Sequence, residues 1–345
     1  MKLQKKTCLL VACMILATVC AFGAGQGGVR PDVAFPARDI TLIVPWNPGG
    51  SSDLIGRLLV ADMERSLGVR IPVVNAPGAN GTIGMNDARN RPHDGYTLIA
   101  SSTPHTHGVM GMADWKPSDW NYLAAYYVPG IIAVHNDSPY RTIQDLVNAI
   151  ARNPDTVTGG TAGVGSTGYV NMEVLKSVIP ELRGYRHIAY SGGAPAVTAT
   201  LAREVDFTPQ LSNEMIDHLR AGTLRALAAL TEDDLQLSGV SYVIPSIAKA
   251  YPATARLLPI GNAFGLMFPS GVPMETQRIL ERAYLQACQT EAARNFATQF
   301  GVVLRAMTLD QSNALRDSDA SRIGWILFDG GVAQNSPAQF GVPRP

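Results

Sequence analysis

The feature that most constrains this fold is a repeated alternation of short apolar segments with segments of helical periodicity. The first apolar run, at 39–45, is β-rich and typical of a strand buried on both faces. A helix is predicted after it, because Ser52 and Asp53 are good N-cap types and Gly68 stands where a C′ glycine belongs. Further segments of both kinds follow: strands at 69–75 and 96–101, and a short helix at 84–91. This β-α-β-α-β order predicts a parallel sheet with helices on its faces.

A second α/β unit follows a break at Pro129-Gly130. Its predicted elements are helices at 142–152, 168–178 and 194–203, and strands at 155–161, 185–190, 205–208 and 224–230. After a last strand at 261–268, three helices are predicted to return to the first unit, at 275–289, 291–300 and 308–328. With 345 residues, the chain has the length of two ordinary domains. We predict a discontinuous domain 1 at 36–130 and 258–345, and a domain 2 at 131–257.

The first residues have the features of an export signal. Three lysines precede an apolar run at 7–22, which is too short for a comfortable membrane span of about 20 residues. Small residues follow, so we assign 1–25 to a signal peptide that is cleaved near Gly23 or Gly25. Cleavage would change the formal charge from zero to −3. Without a basic surplus the chain lacks the field that nucleic acids or anionic membranes require, and neither is expected as a partner.

Cysteine usage leaves two forms of export open. The segment at 10–13 resembles a lipoprotein box that would lipidate Cys13, and Cys20 is a weaker match because the bulky Val19 precedes it. A chain cleaved at 23–25 would instead keep Cys288 alone and could form no intrachain disulfide. Cys288 lies in a predicted helix with apolar residues at helical spacing, so a buried small hydrophobe is expected rather than a nucleophile.

Two glycine-rich turns, each between a predicted strand and a predicted helix, are the strongest functional signals. The candidate binding residues in them are Trp46, Asn47, Gly49, Gly50, Ser51 and Ser52 in the first turn, and Thr161, Ala162, Gly163, Gly165, Ser166 and Thr167 in the second. Such turns direct backbone N–H groups and the positive end of a helix dipole at one point, which suits a carboxylate or phosphate. A structural turn with an ordinary cap explains either segment alone, but two turns of one design favour a shared anion site.

The second turn also matches nucleotide-binding and nucleophile patterns in part. Gly163, Gly165 and Gly168 satisfy G-x-G-x-x-G, but no carboxylate stands at the end of the next strand. Gly160 and Gly165 have the glycine spacing of a P-loop, but Ser166 stands where a P-loop has the lysine that neutralises the phosphates. Val164 stands where a nucleophile elbow around Ser166 needs glycine. No cofactor is therefore expected.

Other candidate contacts follow other strands. Thr103 and His105 come after the third strand, where open parallel sheets place ligands. Gly192 lies in a third glycine turn, which could equally be purely structural. Gln210 follows the strand at 205–208 and could contact the ligand, or it could belong to a solvated helix cap. Although two histidines lie close together in the loop after the third strand, no dense cluster of Cys, Asp or Glu accompanies them, so no metal site is predicted.

Five short segments stand in a characteristic order. They are V-P-W-N-P-G-G-S-S-D at 44–53, P-G-A-N-G-T-I-G at 77–84, D-G-Y-T-L at 94–98, A-G-V-G-S-T at 162–167 and A-G-T-L-R-A-L-A at 221–228. Together they resemble the periplasmic substrate-binding receptors of tripartite tricarboxylate transporters, the Bug family, over about Phe35 to Val342. The chain departs from the family at Ala76, where arginine is usual, and at 189–192, which has no lysine.

This resemblance implies a type II periplasmic-binding fold, in which two Rossmann-like α/β domains joined by two crossover strands close on a ligand without catalysis. It implies that the loops at 49–52 and 162–167 hold the ligand carboxylate, partly through backbone N–H groups. Hinges are expected near 128–131 and 257–261. The partners implied are a small organic carboxylate and integral membrane transporter subunits, and we expect a periplasmic monomer.

Two other functions stay open from the sequence. An exported hydrolase would need a base beside a nucleophile, and His105 near Ser51 or Ser166 is the arrangement available for it. A ligand sensor would use the same pocket but dock a signalling partner. The identity of the acid also stays open, because backbone amides recognise a carboxylate whatever is attached to it.

Overall fold

A computed structural model describes residues 35–102 and 106–345. Two β-sheets organise this part of the protein. The predicted signal peptide, Cys13, Cys20, Thr103 and His105 lie outside the described residues. The chain from Arg38 to Pro345 forms one unit. Within the described part, no helix combines the length and apolar character that crossing a bilayer requires.

Eleven strands occur in the described residues. They are β1 (Thr41–Val44), β2 (Val73–Asn75), β3 (Thr97–Ser102), β4 (Trp120–Pro129), β5 (Ile131–His135), β6 (Thr158–Thr161), β7 (Arg186–Ala189), β8 (Phe207–Thr208), β9 (Leu224–Ala229), β10 (Gly261–Pro269) and β11 (Val303–Leu304). The α-helices of the same residues are α1 (Ser51–Leu67), α2 (Thr82–Arg89), α3 (Ile143–Arg152), α4 (Thr167–Lys176), α5 (Gly193–Leu201), α6 (Ser212–Arg220), α7 (Ile247–Ala250), α8 (Met274–Cys288), α9 (Glu291–Phe300) and α10 (Leu309–Asp329).

The first lobe is built on a six-stranded sheet with the order β11-β4-β10-β3-β1-β2. Strands β1, β2 and β3 are parallel, as expected, but β10 is antiparallel to both β3 and β4. The predicted parallel β-α-β-α-β unit is therefore confirmed, and the antiparallel strand β10 extends its sheet. The physical reason is that β4 carries the chain out to the second lobe and β10 brings it back, so the two strands lie side by side in opposite directions.

The second lobe is built on a five-stranded sheet with the order β7-β6-β8-β5-β9. Strand β6 is parallel to β7 and β8, while β5 is antiparallel to β8 and β9. One buried apolar cluster of the first lobe includes Ile43 and Trp120. Another includes Leu146 and Phe207 of the second lobe and continues into the first lobe at Ile323 and Leu327 of α10. Two α/β lobes of this kind confirm the predicted fold class.

The chain passes between the lobes at two neighbouring points. Gly130, between β4 and β5, donates its N–H to the carbonyl of Ile260 (3.2 Å) and accepts from the N–H of Leu230 (2.9 Å). The N–H of Ile260 in turn donates to the carbonyl of Leu230 (2.8 Å). Backbone hydrogen bonds therefore join both crossing segments, near the positions at which the sequence predicts hinges.

Several element boundaries differ from the sequence predictions. Helix α1 begins at Ser51 with Gly50 as its N-cap, so Ser52 and Asp53 lie inside the first turn instead of capping it. Helix α6 was missed, although its apolar residues Met215, Ile216 and Leu219 stand at helical spacing and are buried on one face. Of the returning C-terminal helices, α8 packs on α1 and α10 packs on β4, as predicted, but α10 also contacts α4 and α9 also contacts α6 in the second lobe.

Candidate functional site

A cavity of about 260 Å³ lies between the lobes, where the first turns of several helices meet. Phe264 of β10 and the start of α1 line it from the first lobe, and the starts of α4, α5 and α6 line it from the second. Many of the predicted contact residues are brought together in its lining: Trp46, Asn47, Gly50, Ser51, Ser52, Ala162, Ser166, Thr167, Gly192 and Gln210. Both glycine turns therefore face one cavity.

The first turn is shaped by Asp53, the third residue of α1. Its carboxylate accepts hydrogen bonds from the backbone N–H of Gly49 (3.0 Å), from Arg57 Nε (2.9 Å) and from Asn75 Nδ2 (2.9 Å). Burial alone would raise the pKa of Asp53, but these three donors outweigh it and hold the pKa below its usual value. Since Gly49 has a φ of +87°, a left-handed conformation that suits glycine, the bonded carboxylate and the glycine together fix the path into α1.

The second turn leads into α4 in a similar way. The hydroxyl of Ser166 donates to the carbonyl of Gly163 (2.7 Å) and does not cap the helix, although Ser166 is the N-cap residue. Gly163 and Gly165 have φ values of +105° and +82°. As Gly50 has no side chain and the Ser166 hydroxyl is used elsewhere, neither α1 nor α4 is capped by its own N-cap side chain. The first-turn N–H groups of both helices are thus available to an anion.

Direct contacts join the lobes around the cavity. The Ser51 hydroxyl donates to Asn213 Oδ1 (3.1 Å) and accepts from Asn213 Nδ2 (2.9 Å). On another side, Asn262 Nδ2 of β10 donates to Thr167 Oγ1 (3.1 Å). Gly165 lies so close to the first lobe that an added Cβ would be 2.4 Å from Met112 Cε. The two lobes therefore contact each other on several sides of the cavity.

Not every predicted residue lines this cavity. Gly49 is exposed, and Thr161 lies behind the second turn, where its hydroxyl is 2.6 Å from His187 Nε2. Gly163 lines a more open part of the cleft, and Gly165 lines a small inner space of about 40 Å³. Thr103 and His105 are outside the described residues.

Glu214, the third residue of α6, lines the cavity and was missed by sequence reasoning. Burial raises the pKa of Glu214 to about 7, against an opposing hydrogen bond from the backbone of Leu211. An acidic residue in the first turn of a helix is ordinary, so only the recognition of α6 itself could have pointed to Glu214.

The nucleophile candidates have other partners. Ser51 is bonded to Asn213, and Ser166 is bonded to a backbone carbonyl. Burial raises the pKa of Cys288 to about 12, despite a hydrogen bond with Tyr284 that lowers it. Among the described residues, no group of three or more His, Cys, Asp or Glu side chains could hold a metal ion.

A two-lobed α/β protein with helix starts around an interlobe cavity has the architecture of a type II periplasmic-binding protein. The sequence profile described as "Tripartite tricarboxylate transporter family receptor" matches residues 55–331, and the chain belongs to that family. BugT of Bordetella pertussis is 28% identical over 328 residues, which are 92% of this chain and 98% of BugT.

Solved structures agree with the fold. A structure of the periplasmic binding protein BugD has a TM-score of 0.77 at 20% identity and covers 87% of this chain and 99% of its own. The structure of MatC of Rhodopseudomonas palustris with bound malate has a TM-score of 0.76 at 22% identity. The match covers 85% of this chain and 100% of MatC. The family and these neighbours are solute-binding receptors and not enzymes, so the hydrolase alternative is not retained.

Proposed function

We propose that this chain is a periplasmic receptor that binds a small organic carboxylate between its lobes and delivers it to tripartite tricarboxylate-type membrane transporter subunits. The observation that carries the proposal is that α1 and α4, from different lobes, begin at one cavity with neither helix capped by its own N-cap side chain. The family of the chain and the malate bound to MatC support the same class of ligand.

Helix starts suit this task because their N–H groups and dipoles stabilise a negative charge without any cationic side chain. The ligand carboxylate accepts from the first turns of α1 and α4, with Ser52 and Thr167 adding hydroxyl groups. The cavity volume of about 260 Å³ suits a small acid, since pockets for drug-sized ligands are roughly 300 to 1,000 Å³.

Ligand binding stabilises contact between the lobes, because the ligand touches both of them. The lobes are domain 1, at 36–130 and 258–345, and domain 2, at 131–257, and the hinge comprises the crossings at 128–131 and 257–261. The joined lobes present the surface that the transporter subunits bind. The receptor acts as a monomer after export, with residues 1–25 as its signal peptide.

The binding function is tested by a thermal-shift and calorimetric screen of the purified chain against organic acids. An acid at 100 times its Kd adds about 2.7 kcal/mol to the free energy of unfolding. Ser166→Leu should abolish the shift, because the larger side chain fills the space in front of α4. If no acid shifts the melting temperature of the wild type, the proposal fails.

Ser177→Leu is the matched control. Ser177 follows the other end of α4 and, like Ser166, donates its hydroxyl to a carbonyl three residues earlier, that of Val174 (2.6 Å). It is exposed and far along the helix from the cavity. Equal loss of binding in both variants would mean that general damage to α4, and not the cavity, is responsible.

Delivery is tested by uptake of the identified acid, supplied in labelled form, by cells that express the transporter subunits with and without this chain. Uptake should depend on the receptor and should be lost with Ser166→Leu but not with Ser177→Leu. Uptake that continues at the wild-type rate without the receptor would contradict the delivery role.

A further inference from the structure

One side chain in the cavity does not fit a site built for negative charge alone. Glu214 lies at the start of α6 on the second-lobe side of the cavity. Its carboxylate faces Gly193, the first residue of α5, so closely that an added Cβ at Gly193 would come within 2.3 to 2.4 Å of both oxygens. A side chain at 193 would therefore displace the carboxylate, and glycine leaves room for it at the edge of the cavity.

The position of Glu214 is fixed by a short hydrogen-bond network. Only the orientation of the Gln210 side-chain amide that turns its nitrogen towards Glu214 satisfies both of its ends. In that orientation Gln210 donates to Glu214 Oε2 (3.2 Å) and accepts from the backbone N–H of Ala162 (3.2 Å). The backbone N–H of Leu211 also donates to the carboxylate. Gln210 thus connects Glu214 to the same glycine turn that precedes α4, and both groups keep a fixed position relative to the cavity.

Among the residues that the structure describes, no cationic side chain lines the cavity beside this carboxylate. Within the described residues, no ion pair includes Glu214, and the cavity lining contains no Lys, Arg or His. The loop at 161–167 and the helix α5 bring no titratable side chain to the lining, and the charged pair on α1, Asp53 with Arg57, is bonded to Gly49 and Asn75. Glu214 lies at the starts of α5 and α6, whose dipoles provide only partial positive charge, and burial still disfavours its ionised form. A ligand that supplies a full positive charge therefore gains affinity.

We infer that the ligand is an amino-carboxylate, whose carboxylate lies at the starts of α1 and α4 and whose protonated amine binds Glu214. This inference rests on the proposed carboxylate-binding function and specifies its substrate class. A zwitterion matches the cavity because each of its charges meets a group of opposite sign. A second ligand carboxylate next to Glu214 would instead bring two like charges together.

Proton exchange gives a second signature. Because burial raises the pKa of Glu214 to about 7, part of the free receptor carries a proton on this side chain at neutral pH. An ammonium group favours the ionised form, so amine binding releases a proton from Glu214 to the buffer. A dicarboxylate that approached the same side chain would favour the protonated form, and its binding would take a proton up.

The experiment is calorimetry at pH 7 with pairs of acids that differ only in the amine. Suitable pairs are aspartate with succinate, glutamate with glutarate, β-alanine with propionate, and 5-aminopentanoate with pentanoate. In at least one pair the amine-bearing acid should bind about tenfold more tightly, the gain expected of a hydrogen bond between charged groups. Repeating the titration in buffers of different ionisation enthalpy should show proton release.

Glu214→Gln tests the residue itself, because glutamine keeps the size and the acceptor for Leu211 but removes the charge. The variant should reduce the preference for the amine to about twofold or less, while the affinity for the acid without the amine should not fall. Glu204→Gln, at an exposed position of the same lobe, should keep the full preference. If Glu214→Gln does not fold, proton release by the wild type still decides the question.

Three results would overturn the inference. Tighter binding of the dicarboxylates with proton uptake, or an amine preference that survives in Glu214→Gln, would remove Glu214 as an amine site while leaving the carboxylate receptor intact. If none of the acids, with or without an amine, bound the wild type, the proposed receptor function would fail with it.

Discussion

Ser51 and Asn213 lie 162 residues apart, in the first turns of α1 and α6, and hydrogen-bond directly between the two lobes. Both side chains are buried, Ser51 with 4% and Asn213 with 7% of its surface exposed. Each belongs to a helix whose first turn lines the cavity. Contact between the lobes and the geometry of the candidate site are therefore linked through the same helix starts.

A double-mutant cycle on this pair should measure a coupling free energy of about 1 kcal/mol, the usual net contribution of an intramolecular hydrogen bond. The measurement is urea unfolding of Ser51→Ala, Asn213→Ala and the double variant. Ser66 and Gln286 form an exposed hydrogen bond within the first lobe and provide the control cycle, with a smaller coupling. Additive effects of Ser51→Ala and Asn213→Ala would show that the lobes do not touch here in solution.

Asp53→Asn should destabilise the protein in a pH-dependent way. The hydrogen bonds to Asp53 depress its pKa in the fold below the ordinary 3.8, so the ionised group stabilises the fold above about pH 4. That contribution is lost as the pH falls through the folded pKa. At pH 7 the variant should lose about 1.5 to 3 kcal/mol of unfolding free energy, and the loss should shrink towards pH 3.

The measurement for Asp53 is denaturant unfolding across this pH range, with Asp114→Asn as the control. Asp114 is exposed and pairs with Arg89 on the surface, where an ion pair contributes about 0 to 1 kcal/mol. A loss in Asp53→Asn that is the same at pH 7 and pH 3 would contradict a role for the ionised carboxylate.

Gly130→Ala should destabilise the junction between the lobes. An added Cβ would lie 3.0 Å from the carbonyl oxygen of Ile260 and 2.7 Å from Asn171 Nδ2, and overpacking of this kind costs about 1 to 3 kcal/mol. The control is Gly324→Ala in α10, where the nearest atom, Pro337 Cγ, is 3.4 Å away. Thermal unfolding should show a lower melting temperature for Gly130→Ala only; equal melting temperatures would argue against a tight crossing.

Cys288 should be unreactive in the folded protein. It is 1% exposed, and burial raises the pKa of its thiol to about 12, so little thiolate exists at neutral pH. Alkylation by iodoacetamide, followed by mass spectrometry of the peptide that contains Cys288, should be at least about tenfold slower in native protein than in guanidinium. Similar rates under both conditions would mean that the thiol is accessible and that the packing of α8 is looser than described.

The two glycine turns could be predicted from the sequence because their conformation is local. The apolar run before each turn, the glycines and the periodicity after it all lie within about one strand and one helix. The positive φ values of Gly49, Gly163 and Gly165 are conformations that glycine adopts at low cost. The same local patterns predicted most strands and helices, with errors of a few residues at their ends.

Only the tertiary structure decided which side chains lie beside these turns and how strands from distant parts of the chain pair. The antiparallel pairing of β4 with β10 joins segments more than a hundred residues apart, and no local pattern specifies it. Glu214 and Asn213 belong to a short polar helix whose residues gain their meaning from the groups across the cavity. Local sequence determines backbone conformation, whereas the electrostatic environment of a side chain depends on neighbours that folding brings from elsewhere in the chain.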